Sequence, residues 1–136
     1  CHKGTRLNTL EELKLWAVDS RSKHSCCWIT GIPGSGKSTL IATIAEHFKD
    51  TRLLCAQYFI SSAFKDTTDP KKLFPSLALQ LSERSPGVAW YIHNALKGIT
   101  SDHVTKEQAE RLLLKPIQVL SQEFTMAVIV IDAIDE

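Results

Sequence analysis

Residues 31–39 read GIPGSGKST, with glycine at 31, 34 and 36 followed by Lys37, Ser38 and Thr39. This stretch constrains the fold more than any other. It follows a short apolar run, CCWIT (26–30), and it opens a segment, STLIATIAEHFKD (38–50), whose apolar residues fall at 40, 41, 44, 45 and 48. The first run reads as a buried strand and the second carries the helical period. A strand that passes through three glycines into a helix can wrap its backbone closely, because glycine adopts conformations closed to other residues.

The spacing Gly31-x-x-x-x-Gly36-Lys37-Ser38 gives that wrapping a chemical use. Successive backbone N–H groups of Gly31, Ile32, Pro33, Gly34, Ser35 and Gly36 (all but the proline carry one) would turn inward and form a nest for an anion. The helix that follows adds unpaired N–H groups and the positive end of its dipole. Lys37 is then placed to reach the β- and γ-phosphates of a nucleotide, Ser38 to ligate Mg2+, and Thr39 to lie near the α-phosphate. A nucleotide with Mg2+ is the expected ligand.

The rest of the chain alternates helices and strands. Residues 7–19 read as an amphipathic helix with Leu10, Leu13 and Trp16 at three-residue steps, and Thr9 with Glu12 suggests a capping box. A strand is expected over 52–60. Further helices are expected from Pro70, over 88–97, and over 105–123 with a bend at Pro116. SPG (85–87) ends the helix that Pro70 starts. The close, MAVIVIDAIDE, reads as a buried strand over 127–131 ending in acid. Such alternation predicts an α/β fold with a parallel sheet sandwiched by helices. Asp132, the first acid at that strand's carboxyl end, is the expected second Mg2+ ligand. Asp135 and Glu136 are candidates to orient or deprotonate the attacking water, since the position just after Asp132 is Ala133. Lys37 would stabilise charge on the phosphates. A GTPase would need glycine at 135, which is Asp.

Composition excludes several alternatives. The net charge is +1 and the basic residues are scattered, which argues against a nucleic-acid partner. No apolar run is long enough for a membrane span. The four cysteines, at 1, 26, 27 and 55, form no Cys-x-x-Cys pair. Cys26, Cys27 and Cys55 read as apolar strand residues of a reducing, cytoplasmic compartment.

The stretches GIPGSGKSTLIATIAEHF, AQYFIS, LFPSLALQLSERSPGV and AVIVIDAIDE together resemble the NACHT domain of fungal NLR-like proteins, within the STAND (ASCE) class of P-loop NTPases. That resemblance covers nearly the whole chain. It implies a leader helix and connector over 1–25 and the N-terminal part of the nucleotide domain over 26–136. It also implies a switch that holds ADP when closed, exchanges it for ATP (or GTP), hydrolyses slowly, and forms homo-oligomers when activated. Effector and sensor domains would lie elsewhere in a longer protein. Thr5 and Arg6 would approach the nucleotide base. Asp132-Ala133-Ile134-Asp135-Glu136 matches the family's acidic strand end, while Ser62 stands where relatives often carry arginine. By this analogy one central strand of the sheet lies beyond residue 136, so the fold is expected to be incomplete at its C-terminus. Two other readings stay open: an AAA-type ATPase or P-loop kinase with steady turnover, and a degenerate fragment that binds nothing.

Overall fold

The computed structural model describes residues 7–61, 68–98 and 105–132. The chain divides into two compact units, residues 1–53 and 54–136.

In the first unit, α1 (Leu7–Val18) packs on α2 (Lys37–Asp50). Leu10 is buried in α1, and Leu13 and Trp16 are half-buried on the same face, as the three-residue steps predict. The helix already runs through Thr9, so Thr9 and Glu12 do not form the predicted capping box at its start. In α2 all five residues at the apolar spacing, Leu40, Ile41, Ile44, Ala45 and Phe48, are buried. Its end is fixed by Arg52 N–H donating to Lys49 O and Leu53 N–H to Phe48 O, at 3.0 and 2.8 Å. This paired closure requires a left-handed residue at Arg52, where φ is +60°, a position that usually selects glycine.

Residues 26–30 are not the strand that their composition predicts. Cys26, Cys27 and Trp28 are exposed, Trp28 by 73%. A strand exists only when a neighbour takes its N–H and C=O groups. Among the described residues nothing supplies that ladder to 26–30. The two cysteines are therefore not buried apolar residues. Partial burial, with a smaller contribution from Cys26, raises the Cys27 thiol above its ordinary pKa.

The second unit holds a two-stranded parallel sheet, β1 (Leu54–Phe59) beside β2 (Val128–Asp132). Ala56 pairs with Ile129, Gln57 with Val130, Tyr58 with Ile131 and Phe59 with Asp132. A 3-10 turn, Pro70–Lys72, is capped by the Asp69 carboxylate and leads into α3 (Leu73–Ser82). Leu77 and Leu81 of α3 are fully buried, with Phe74 partly so.

SPG does not simply end that helix. Ser85 caps the next one, α4 (Pro86–Leu96), accepting from the N–H groups of Gly87 and Val88, with Pro86 in the first turn. The Ser85 hydroxyl also donates to Glu123 Oε1 at 2.7 Å and so ties the start of α4 to the end of α6.

Thr105 caps α5 (Lys106–Ala109), which widens through a π-turn, Glu110–Leu114, into α6 (Lys115–Glu123). The predicted bend at Pro116 thus takes the form of a widened turn just before it. Proline has no N–H for the Leu112 carbonyl, and a π-turn relieves the crowding its ring creates. Cys55, Ala56, Tyr58, Leu77, Leu81, Val88, Ile92, Leu112 and Leu120 form one buried cluster, with Ile129 and Ile131 packed against it. Each fully buried leucine stabilises by roughly 1.5–3 kcal/mol. The chain is thus mixed α/β, as predicted, with a small parallel sheet.

Candidate functional site

The glycine loop lies in the first unit, where its backbone follows from its residues. Gly34 and Gly36 hold φ of +73° and +80°, the left-handed region that a side chain resists. A Cβ at either would meet nothing within 4 Å, so conformation and not space selects glycine there. Gly31 differs. A Cβ there would lie 2.9 Å from Ser35 Oγ and 3.7 Å from Lys37 Cδ, so its glycine serves a close approach. The Ser35 N–H donates to Ile32 O at 3.1 Å and closes the turn over Pro33 and Gly34.

Gly36 is the N-terminal cap residue of α2, and no side chain caps that helix. Leu40 N–H is the first to bond back, to Gly36 O at 3.1 Å. The N–H groups of Lys37, Ser38 and Thr39 precede it at the positive end of the helix dipole. Lys37 Nζ turns back over the loop and donates to Gly31 O at 2.9 Å and to Ile32 O at 3.5 Å. One cation and a run of amides thus converge on the same turn. Ser38 and Thr39 sit on the first turn of α2 with exposed side chains, and Ile32 is exposed at the loop tip.

Asp132 belongs to the second unit. It is the last residue of β2, only 6% exposed, and its backbone carbonyl accepts from Ile60 N–H at 3.4 Å. No hydrogen bond or ion pair reaches its carboxylate among the described residues. Among the described residues no group of three or more His, Cys, Asp and Glu could hold a metal. Thr5, Arg6, Ser62, Asp135 and Glu136 lie outside the described residues.

Sequence reasoning overlooked Gln80, whose side chain bonds both main-chain groups of Gln57. The only sequence signal for it was a polar residue between the buried Leu77 and Leu81. No described helix is long and apolar enough to cross a membrane.

The family model described as "Nephrocystin 3, N-terminal" matches residues 4–136. No curated protein and no solved structure matches the chain. The match runs through the glycine loop, both strands and every helix described above. The chain belongs to the nephrocystin 3 N-terminal family.

Proposed function

We propose that the chain binds a nucleoside triphosphate, ATP or GTP, with Mg2+, and that it works as a slowly hydrolysing molecular switch of the P-loop NTPase class, related to the NACHT domains it resembles. One observation carries the reading. Two left-handed glycines deliver the uncapped start of α2 to a turn over which Lys37 already folds. Those amides suit phosphate oxygens, which accept hydrogen bonds and carry negative charge. Lys37 exchanges carbonyl partners for β- and γ-phosphate oxygens, a stronger charge-assisted contact.

Mg2+ suits the remaining groups. It keeps several waters and takes substrate oxygens with one or two protein ligands, so it needs no cluster of protein donors. The Ser38 hydroxyl and the Asp132 carboxylate are the ligands assigned. When bound, the ion neutralises charge on the β- and γ-phosphates. Asp135 and Glu136 are the groups assigned to poise water, and Thr5 and Arg6 to approach the base. In a longer protein, exchange of ADP for ATP would drive homo-oligomerisation and engage effector and sensor domains in the cytoplasm.

Calorimetric titration of ATP with Mg2+ tests this, using the wild type beside Lys37→Ala and Asp132→Asn. Losing a charged hydrogen-bond partner costs about 1.5–3 kcal/mol, so K37A should weaken binding by about 10- to 100-fold. D132N should remove the gain in affinity that Mg2+ gives over EDTA. Equal affinity in K37A and wild type would defeat the proposal.

A further inference from the structure

A two-stranded sheet has two outer edges, and each is a template on which another chain can add a strand. In β1, the backbone of Ile60 bonds across to Asp132 of β2. In a parallel pair, alternate residues turn their N–H and C=O to the same side. Tyr58 and Ala56 therefore face β2 with Ile60, and Gln57 presents both its groups to the outer edge.

Gln80 of α3 meets those two groups. Gln57 N–H donates to Gln80 Oε1 at 3.0 Å, and Gln80 Nε2 donates to Gln57 O at 2.9 Å. The second Nε2 hydrogen goes to Ser76 O, one turn back along α3, at 3.2 Å. A primary amide has one carbonyl and two N–H donors, and all three functions are used. The three bonds fix the amide's orientation, and Gln80 offers Gln57 the donor and acceptor that an adjacent strand would offer.

We propose that Gln80 is an edge plug, a side-chain substitute for a third strand that prevents β1 from pairing with β1 of a second copy of this chain. The occupant follows from β1 itself. LCAQYF is an uncharged, largely apolar strand without proline, ending in the strand formers Tyr58 and Phe59, and a strand without charge or proline has nothing to keep it from pairing edge to edge when its main chain is bare. Strand addition to this sheet is thereby confined to the side of β2, where Ile129 and Ile131 turn their main-chain groups outward. The plug acts on association and leaves the glycine loop untouched, so it is independent of the nucleotide reading.

The test uses the full chain with Gln80→Met, which keeps the length and packing of the side chain but can make none of the three bonds. At dilution, before copies pair, amide exchange at Gln57 should quicken by at least about tenfold, as expected for one lost hydrogen bond of about 1.4 kcal/mol. Light scattering on size exclusion should show dimers or larger species that grow with concentration. The double variant with Gln57→Pro, which removes the outward N–H but no bond to β2, should return to the mass of the wild type. A monomeric Q80M at every concentration would overturn the proposal, as would association that persists in the double variant. Should Q80M unfold, Gln80→Leu answers in its place. It can make none of the three bonds and adds no charge to the edge, so it should associate as Q80M would, and a monomeric Q80L would overturn the proposal equally.

Discussion

Replacing Gly36 with alanine probes the loop at the point where backbone and ligand chemistry meet. The residue holds φ +80° and ψ +28°, and an added Cβ would touch nothing within 4 Å. Steric contact therefore contributes nothing to the cost. What remains is the left-handed conformation, worth roughly 1–2 kcal/mol for a residue with a Cβ. Exchange of glycine for alanine also restricts the unfolded chain and returns about 0.4–1 kcal/mol. A net loss of about 1 kcal/mol is expected. For a chain of this size that lowers Tm by about 3–4 °C. Urea unfolding followed by circular dichroism should show the midpoint fall with an unchanged slope, and Gly34→Ala, at φ +73°, should behave alike. Gly31→Ala should differ, because its cost is contact with the Ser35 hydroxyl and the Lys37 stem, both of which can move. It should be the milder change in stability and the more harmful in phosphate affinity. If Gly36→Ala matches the wild type within about 0.3 kcal/mol, the left-handed turn is not what selects glycine, and the loop geometry argued above is wrong.

Four further expectations follow from particular contacts. Leu81→Ala, at a fully buried site in α3, should cost about 2–5 kcal/mol in chemical denaturation. Ser85→Ala removes a cap and the tie to Glu123 together and should cost about 1–2 kcal/mol, with faster amide exchange at Gly87 and Val88. Arg52→Gly relieves a left-handed residue at the end of α2 and should raise stability by about 0.5–1 kcal/mol, measured the same way. The Glu11 carboxyl is held below the ordinary glutamate value, first by the hydrogen bond from Lys14 at 2.7 Å and then by its charge. A depressed carboxyl stabilises above its unfolded pKa and loses that contribution as pH falls through the folded value. An NMR titration of Lys14→Ala should find the Glu11 pKa moved upward.

The sequence showed its helices clearly because periodic burial is a local signal. The five apolar positions of α2 and the Leu77–Leu81 face of α3 needed only spacing to be read. The parallel strand pair was legible from two apolar runs separated by helices. Residues 26–30 were misread because a strand is not local: Cys26, Cys27 and Trp28 have the right composition, but only a neighbouring ladder makes a strand. Ser85 was read as the end of one helix when its hydroxyl starts the next, a choice that depends on which N–H groups come within reach. Of the candidate site, the loop glycines were legible one by one, since positive φ and close approach both select glycine. The Gln80–Gln57 contact spans 23 residues and has no sequence pattern at all.

The most direct test of the account is an NMR titration of the folded chain with ADP and ATP in the presence of Mg2+, following the backbone amides of the glycine loop. Large shifts are expected at Gly34, Gly36, Lys37, Ser38 and Thr39, reaching saturation, with the titration moved to about 10- to 100-fold higher nucleotide in Lys37→Ala. Unmoved loop amides at millimolar nucleotide, in a sample whose α2 resonances show it folded, would contradict the account.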